Sequence, residues 1–164
     1  MPLDTSDPEH PKPGKPELFL RSPLETQEPA FSPDGRWIAY ASAESGRSEV
    51  FVRRFSAGGQ SGSGKWLVST GGGHLPIWSR DGTELFYRSG SRIMSVAHHP
   101  LSASGTFGTP QVLFTGAFDF SQDRNWSLSP DGSFIMIKAD PTMGRQLRVV
   151  FNWFDEVTGA AKGR

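Results

Sequence analysis

The chain has 164 residues, with 17 basic and 17 acidic side chains, 19 glycines, 13 prolines and no cysteine. That length suffices for a domain with its own core. The missing cysteine excludes disulfides, thiolate metal sites and a cysteine nucleophile. The balanced charge offers no basic stripe to nucleic acid or an anionic membrane.

Residues 1–15 carry Pro2, Pro8, Pro11 and Pro13 among polar neighbours and are expected to form a disordered or extended lead. Neither an apolar leader core nor a stretch of membrane-spanning length follows. The run Pro16-Glu-Leu-Phe-Leu20 reads as an isolated outer strand within 16–22.

From Glu28 onward one phrase is repeated. Phe31-Ser32-Pro33-Asp34-Gly35 returns as Trp78-Ser79-Arg80-Asp81-Gly82 and as Leu128-Ser129-Pro130-Asp131-Gly132, with aspartates 47 and 50 residues apart. A period of that size marks stacked supersecondary units. Ser-Pro-Asp-Gly suits a type I turn: serine bonds locally, proline presets φ, and glycine takes the last position. Ser32, Pro33, Asp34, Gly35, Ser79, Asp81, Gly82, Ser129, Pro130, Asp131 and Gly132 are therefore read as structural turn residues.

A strand-like run precedes each turn: Glu28–Phe31, Leu75–Trp78 and Asn125–Leu128. A second follows it: Trp37–Tyr40, Leu85–Tyr87 and Phe134–Ile137. These second runs are apolar without alternation, which predicts burial on both faces. A third run follows at Glu49–Val52, Arg92–Val96 and Leu147–Phe151, after Gly46, Gly90 and Gly144 in turn. A fourth follows only the first two units, at Lys65–Val68 and Gln111–Phe114. The pattern predicts an all-β chain: a β-propeller segment of about three four-stranded antiparallel blades at 28–70, 74–117 and 125–154. The isolated early strand would complete the last blade. A flexible loop is expected at 57–64 and a flexible tail at 157–164. Three blades do not close a ring. The segment is then a piece of a longer propeller, the favoured reading, or half of a six-bladed ring whose open apolar blade faces drive self-association.

The phrase Glu28-Pro-Ala-Phe-Ser-Pro-Asp-Gly-Arg-Trp-Ile-Ala-Tyr40 resembles the TolB-type propeller repeat, a relative of WD repeats. Glu44–Phe55, Val68-Ser-Thr-Gly-Gly-Gly73, Trp78–Arg88 and the ending Val149-Val-Phe-Asn-Trp-Phe-Asp-Glu156 resemble the C-terminal propeller of bacterial serine/threonine protein kinases. The turn itself is shared with other propellers, including those of prolyl-oligopeptidase-type peptidases. The resemblance spans about residues 16–156 and implies a sensory or protein-interaction module, in relatives often beyond a membrane span. The nucleotide loop, the His-Arg-Asp loop and the Asp-Phe-Gly of a kinase are all absent from this sequence, so kinase activity is not implied. The alternatives are a regulatory fragment of such a kinase and a propeller fragment of such a peptidase.

Chemical signals are weak. Gly59–Lys65 matches part of a phosphate-binding loop, but Trp66 stands where Mg²⁺ needs a hydroxyl and a strand follows in place of a helix. Asp34, Asp81 and Asp131 recur in separate units, as turn residues do. His98-His99 precedes Pro100 and reads as an exposed loop pair; His10 lies in the lead, and His74 lacks companions at ligand spacing. Asn125-Trp126-Ser127 matches a glycosylation sequon by chance on an inner strand. Trp37, Trp66, Trp78, Trp126 and Trp153 read as packing between blades. No catalytic residue, cofactor or metal is expected, and no nucleic-acid partner. The loop ends Gly71-Gly-Gly-His74, Arg80 and Asp123-Arg124 are the surface positions left for a protein partner.

Overall fold

The computed structural model describes residues 3–4, 6–7, 9–10, 12–16, 18–22, 24–55, 64–99, 106–118 and 126–138. Among them there is no helix, and so none long and apolar enough to cross a membrane.

The chain opens with β1 (Leu3–Asp4) and β2 (Lys12–Pro13), joined by a two-residue antiparallel ladder. Residues 16 and 18–22 form no strand. Leu147–Phe151, the edge such a strand would complete, lies outside the described residues. Phe19 instead packs beside Phe55, with ring centroids 5.3 Å apart.

Blade one is a four-stranded meander: β3 (Thr26–Phe31), β4 (Trp37–Ser42), β5 (Glu49–Arg54) and β6 (Lys65–Leu67), in that spatial order and antiparallel throughout. Blade two repeats it with β7 (His74–Trp78), β8 (Glu84–Ser89) and β9 (Arg92–His99). The outer edge of β9 carries both β10 (Thr106–Phe107) and β11 (Gln111–Thr115). Gly90-Ser91 joins β8 to β9 with Ser89 opposite Arg92. Gly90 at φ 61° and an ordinary φ at Ser91 make this a type II′ hairpin, whose twist matches the strands. Blade three shows β12 (Trp126–Leu128) and β13 (Phe134–Met136).

All six residues of β4 are buried. The pairing register explains how both faces are used. Ala39 lies opposite Val52, and Leu85 opposite Val96. These residues join Trp37, Val50, Trp78 and Tyr87 in one core between blades one and two. The other face of blade two sends Phe86, Ile93 and Phe114 against Trp126, Phe134 and Met136 of blade three in a second core. The stacking is therefore side by side, and neither sheet has its own private core.

Two departures from the simple repeat matter. The outer face of blade one is not the open apolar face expected. Ile38, Tyr40 and Phe51 are buried, whereas Phe31 and Leu67 are about half exposed. Arg53 donates from Nε to the Tyr40 hydroxyl at 3.0 Å, and the Lys65 ammonium lies 4.4 Å from the Phe51 ring centroid. Long cationic stems thus cover part of the aromatic surface. The second departure is register. Phe31 pairs with Ile38 and Trp78 with Leu85, but Leu128 pairs with Phe134, one residue tighter relative to the aspartate. Because the side-chain period of a strand is two, the slip exchanges faces. Phe134 and Met136 meet blade two, in place of the Ile135 and Ile137 that the repeat alignment selects.

Truncating Leu85, which is fully buried between two blades, to alanine should cost about 2–5 kcal/mol. The same change at Leu67, 52 % exposed, should fall within about 0.5 kcal/mol of wild type. Urea unfolding of both variants measures this.

Candidate functional site: the inner groove and its supports

The first two repeat turns share one hydrogen-bond scheme, and the third keeps it except that its serine hydroxyl meets the Ser133 carbonyl in place of an amide. In the second, Ser79 Oγ donates to Asp81 Oδ1 at 2.7 Å and accepts from the Glu84 amide at 2.8 Å. The Thr83 amide donates to Asp81 Oδ1 at 3.1 Å, and the Gly82 amide closes the turn on Ser79 O at 3.0 Å. In the first, Ser32, Asp34, Arg36 and Trp37 make the same bonds, with Gly35 closing on Ser32 O. In the third, Ser129 donates to Asp131, the Ser133 amide meets Asp131 at 3.1 Å, and Gly132 closes on Ser129 O. Gly35, Gly82 and Gly132 sit at φ 68°, 72° and 86°, where a side chain is strained. Pro33 and Pro130 occupy the turn position that Arg80 takes in the second copy.

These bonds hold the aspartates ionised. Hydrogen bonds from Ser79 and Thr83 pull Asp81 down to about 2. Those from Ser129 and Ser133 lower Asp131. At Asp34 burial pushes upward, but Ser32, the Arg36 amide and the Arg36 charge outweigh it and leave the carboxyl lowered.

The turns also touch one another. Pro33 lies against Gly82, and Arg80 Nη1 donates to the Pro130 carbonyl of the third turn. Alongside them the inner strands β3, β7 and β12 form the wall of an open groove of about 680 Å³. Pro29, Phe31, Pro76, Ile77, Trp126 and Leu128 give it an apolar surface, and Arg80 is the one ionisable side chain among the described residues of its lining. Two bulges shape this wall. Glu28 and Leu75, both directly before a proline, sit at φ 58° and 53°, a costly region for non-glycine residues. Cross-blade bonds hold them there: Glu28 Oε2 accepts from the Leu75 amide at 2.6 Å, and Trp78 Nε1 donates to Ala30 O at 3.1 Å.

Of the surface positions read from the sequence, the groove gathers only Arg80. Asp123-Arg124 lies outside the described residues. Gly71 and Gly72 serve the frame of the fold, since their amides bind the carboxylate of Glu49. His74 Nδ1 stands 3.3 Å from Ser48 Oγ.

His98 and His99 do not form the expected exposed loop pair: both lie in β9, because β10 extends the ladder to them, and of the two only His99 is exposed. His98 is 3 % exposed. Its Nδ1 is 2.8 Å from Gly82 O, and its ring stacks on Phe107 at 4.8 Å with Trp37 and Trp78 edge-on. Trp66 completes this aromatic cluster against Trp37 at 5.3 Å. Trp37, Trp66, Trp78 and Trp126 all serve blade packing; Trp153 lies outside the described residues. Lys65, the cation of the phosphate-loop match, is paired with Glu44. Glu49 gave no sequence signal beyond a charge amid apolar neighbours.

No family model matches the chain. Among solved structures it is similar to a protein of Agrobacterium tumefaciens assigned to TolB, at 20% identity and a TM-score of 0.44, over 60% of this chain and 36% of that one. It is also similar to TolB of Acinetobacter baumannii, at 19% identity and a TM-score of 0.43, over 84% of this chain and 42% of that one. The chain thus spans less than half the length of either.

Replacing Ser79 by alanine removes two hydrogen bonds and should cost about 1–2 kcal/mol. Asp81→Asn tests the ionised turn. A depressed carboxyl contributes stability above its unfolded value near 3.8 and loses it as pH falls through about 2. Asp81→Asn should therefore be less stable than wild type at pH 6, with the gap closing towards pH 2, followed by thermal unfolding.

Proposed function

We propose that the chain is a non-catalytic protein-interaction module that binds a partner segment along the inner groove. The observation that carries this reading is the wall itself. Three inner strands and three turns from separate units converge on one surface that is apolar, rich in proline and aromatic rings, and carries Arg80 as the only ionisable group among its described residues. Acid–base or nucleophilic chemistry needs paired titratable groups within hydrogen-bond reach. Recognition of a chain segment needs apolar contact area with a few fixed polar groups. The lining fits the second requirement. Phe31, about half exposed at the groove edge and braced edge-on by Phe55, would be the anchor.

Sensing, the related reading, would use the same wall with a smaller ligand. No described residue of the groove favours regulation of a kinase or a peptidase over plain binding.

Panning a displayed peptide library against the chain tests the proposal. Enriched peptides should compete with one another and lose at least ~10-fold in affinity, about 1.4 kcal/mol, in a folded Phe31→Ala/Arg80→Ala variant. Peptides indifferent to that variant would move the interaction surface elsewhere. A chain that enriches no peptide would defeat the reading.

A further inference from the structure

Glu49 is 2 % exposed, yet it is a carboxylate. Burying such a charge is costly unless donors surround it. Here they do. Ser69 Oγ donates to Oε2, and the Gly72 amide reaches both oxygens at 3.1 Å. The Gly71 amide reaches Oε1 at 3.2 Å and Arg47 Nε reaches it at 2.6 Å.

The donors do not owe their positions to Glu49 alone. Gly71 and Gly72 stand at φ 94° and 101°, a backbone that side chains of other residues rarely adopt, and from it their consecutive amides both meet the carboxylate. Gly73 is fixed by space: a Cβ there would meet Ser69 Oγ at 2.7 Å and Val50 Cγ2 at 2.9 Å. Its amide donates to Ser48 O at 3.0 Å. Ser69 Oγ is held by the Val50 amide at 2.7 Å. These contacts bind the linker between the blades to β5 by groups other than the carboxylate. A groove of about 340 Å³, lined by Arg47, Leu67, Ser69 and Thr70, leads from the surface to Glu49.

We infer that Ser69, Gly71, Gly72 and Arg47 form a preformed anion site whose resident ligand is the chain's own Glu49 carboxylate, and that the site takes a small free carboxylate when that side chain is removed. In the wild type the tether gives Glu49 an effective concentration that a dissolved anion cannot match. In Glu49→Ala the donors remain and the outer groove gives access.

The test is rescue of Glu49→Ala by formate, with thermal unfolding as the readout and sodium chloride at equal ionic strength as the reference. The variant should melt well below wild type. Formate should raise its midpoint saturably, with a dissociation constant no tighter than about 1 mM for a ligand of so few atoms. Wild type should show no saturable response. Glu49→Gln, whose amide fills the cradle without a charge, should also be destabilised but unresponsive to formate. If Glu49→Ala fails to fold in chloride, recovery of native tryptophan fluorescence in formate is the equivalent readout. Formate acting alike on all three proteins, or failing to act on Glu49→Ala, overturns the proposal.

Discussion

The second strand of blade one is buried on both faces, and so is the centre of the second strand of blade two, Leu85–Tyr87. Everything else in the structure depends on that constraint. A sheet whose central strand is buried on both sides cannot stand alone in water, because its apolar surface must be covered by a neighbour. Trp37, Ala39 and Val52 of blade one find that cover in Trp78, Leu85 and Val96 of blade two, and blade two is covered again by blade three. Stability is consequently held between units, as in other repeat architectures, where each unit leans on its nearest neighbours.

Polar groups then fix how the units sit on one another. Apolar faces slide; hydrogen bonds at their rims do not. Glu28 reaches the Leu75 amide, the Trp78 indole reaches Ala30 O, and Arg80 reaches Pro130 O. Each joins equivalent parts of adjacent blades. The strain of left-handed backbone at Glu28 and Leu75 is offset by these bonds, and the result is a continuous inner wall. The groove is thus a product of stacking, and no single blade contains it.

The fold was largely legible in the sequence. The repeated Ser-x-Asp-Gly turn carries its own hydrogen-bond logic, and unbroken apolar runs such as Trp37–Tyr40 announce two-sided burial. What the sequence could not show were effects of neighbours distant along the chain. His98 looks like a loop residue beside Pro100, and only the pairing of β9 with β10 brings it into the aromatic cluster. In the sequence Glu49 is only a charge amid apolar neighbours, and the returning linker with Ser69, Gly71 and Gly72 is what surrounds it. The groove proposed for a partner is only partly legible: Arg80 stands out in the sequence, whereas Phe31 and the proline wall come together only when three blades are side by side.

The tighter register of β12 with β13 has a further consequence. Blade two turns Leu85 and Tyr87, four and six residues past its turn aspartate, towards the blade before it, whereas blade three turns Phe134 and Met136, three and five past its own, towards blade two. The units are therefore not interchangeable parts. A chimera that spliced a copy of blade three between blades one and two would present each neighbour with the wrong row of side chains, although its turn sequence would match. Blade three is a direction-specific member of this stack, distinguished by a single residue of pairing.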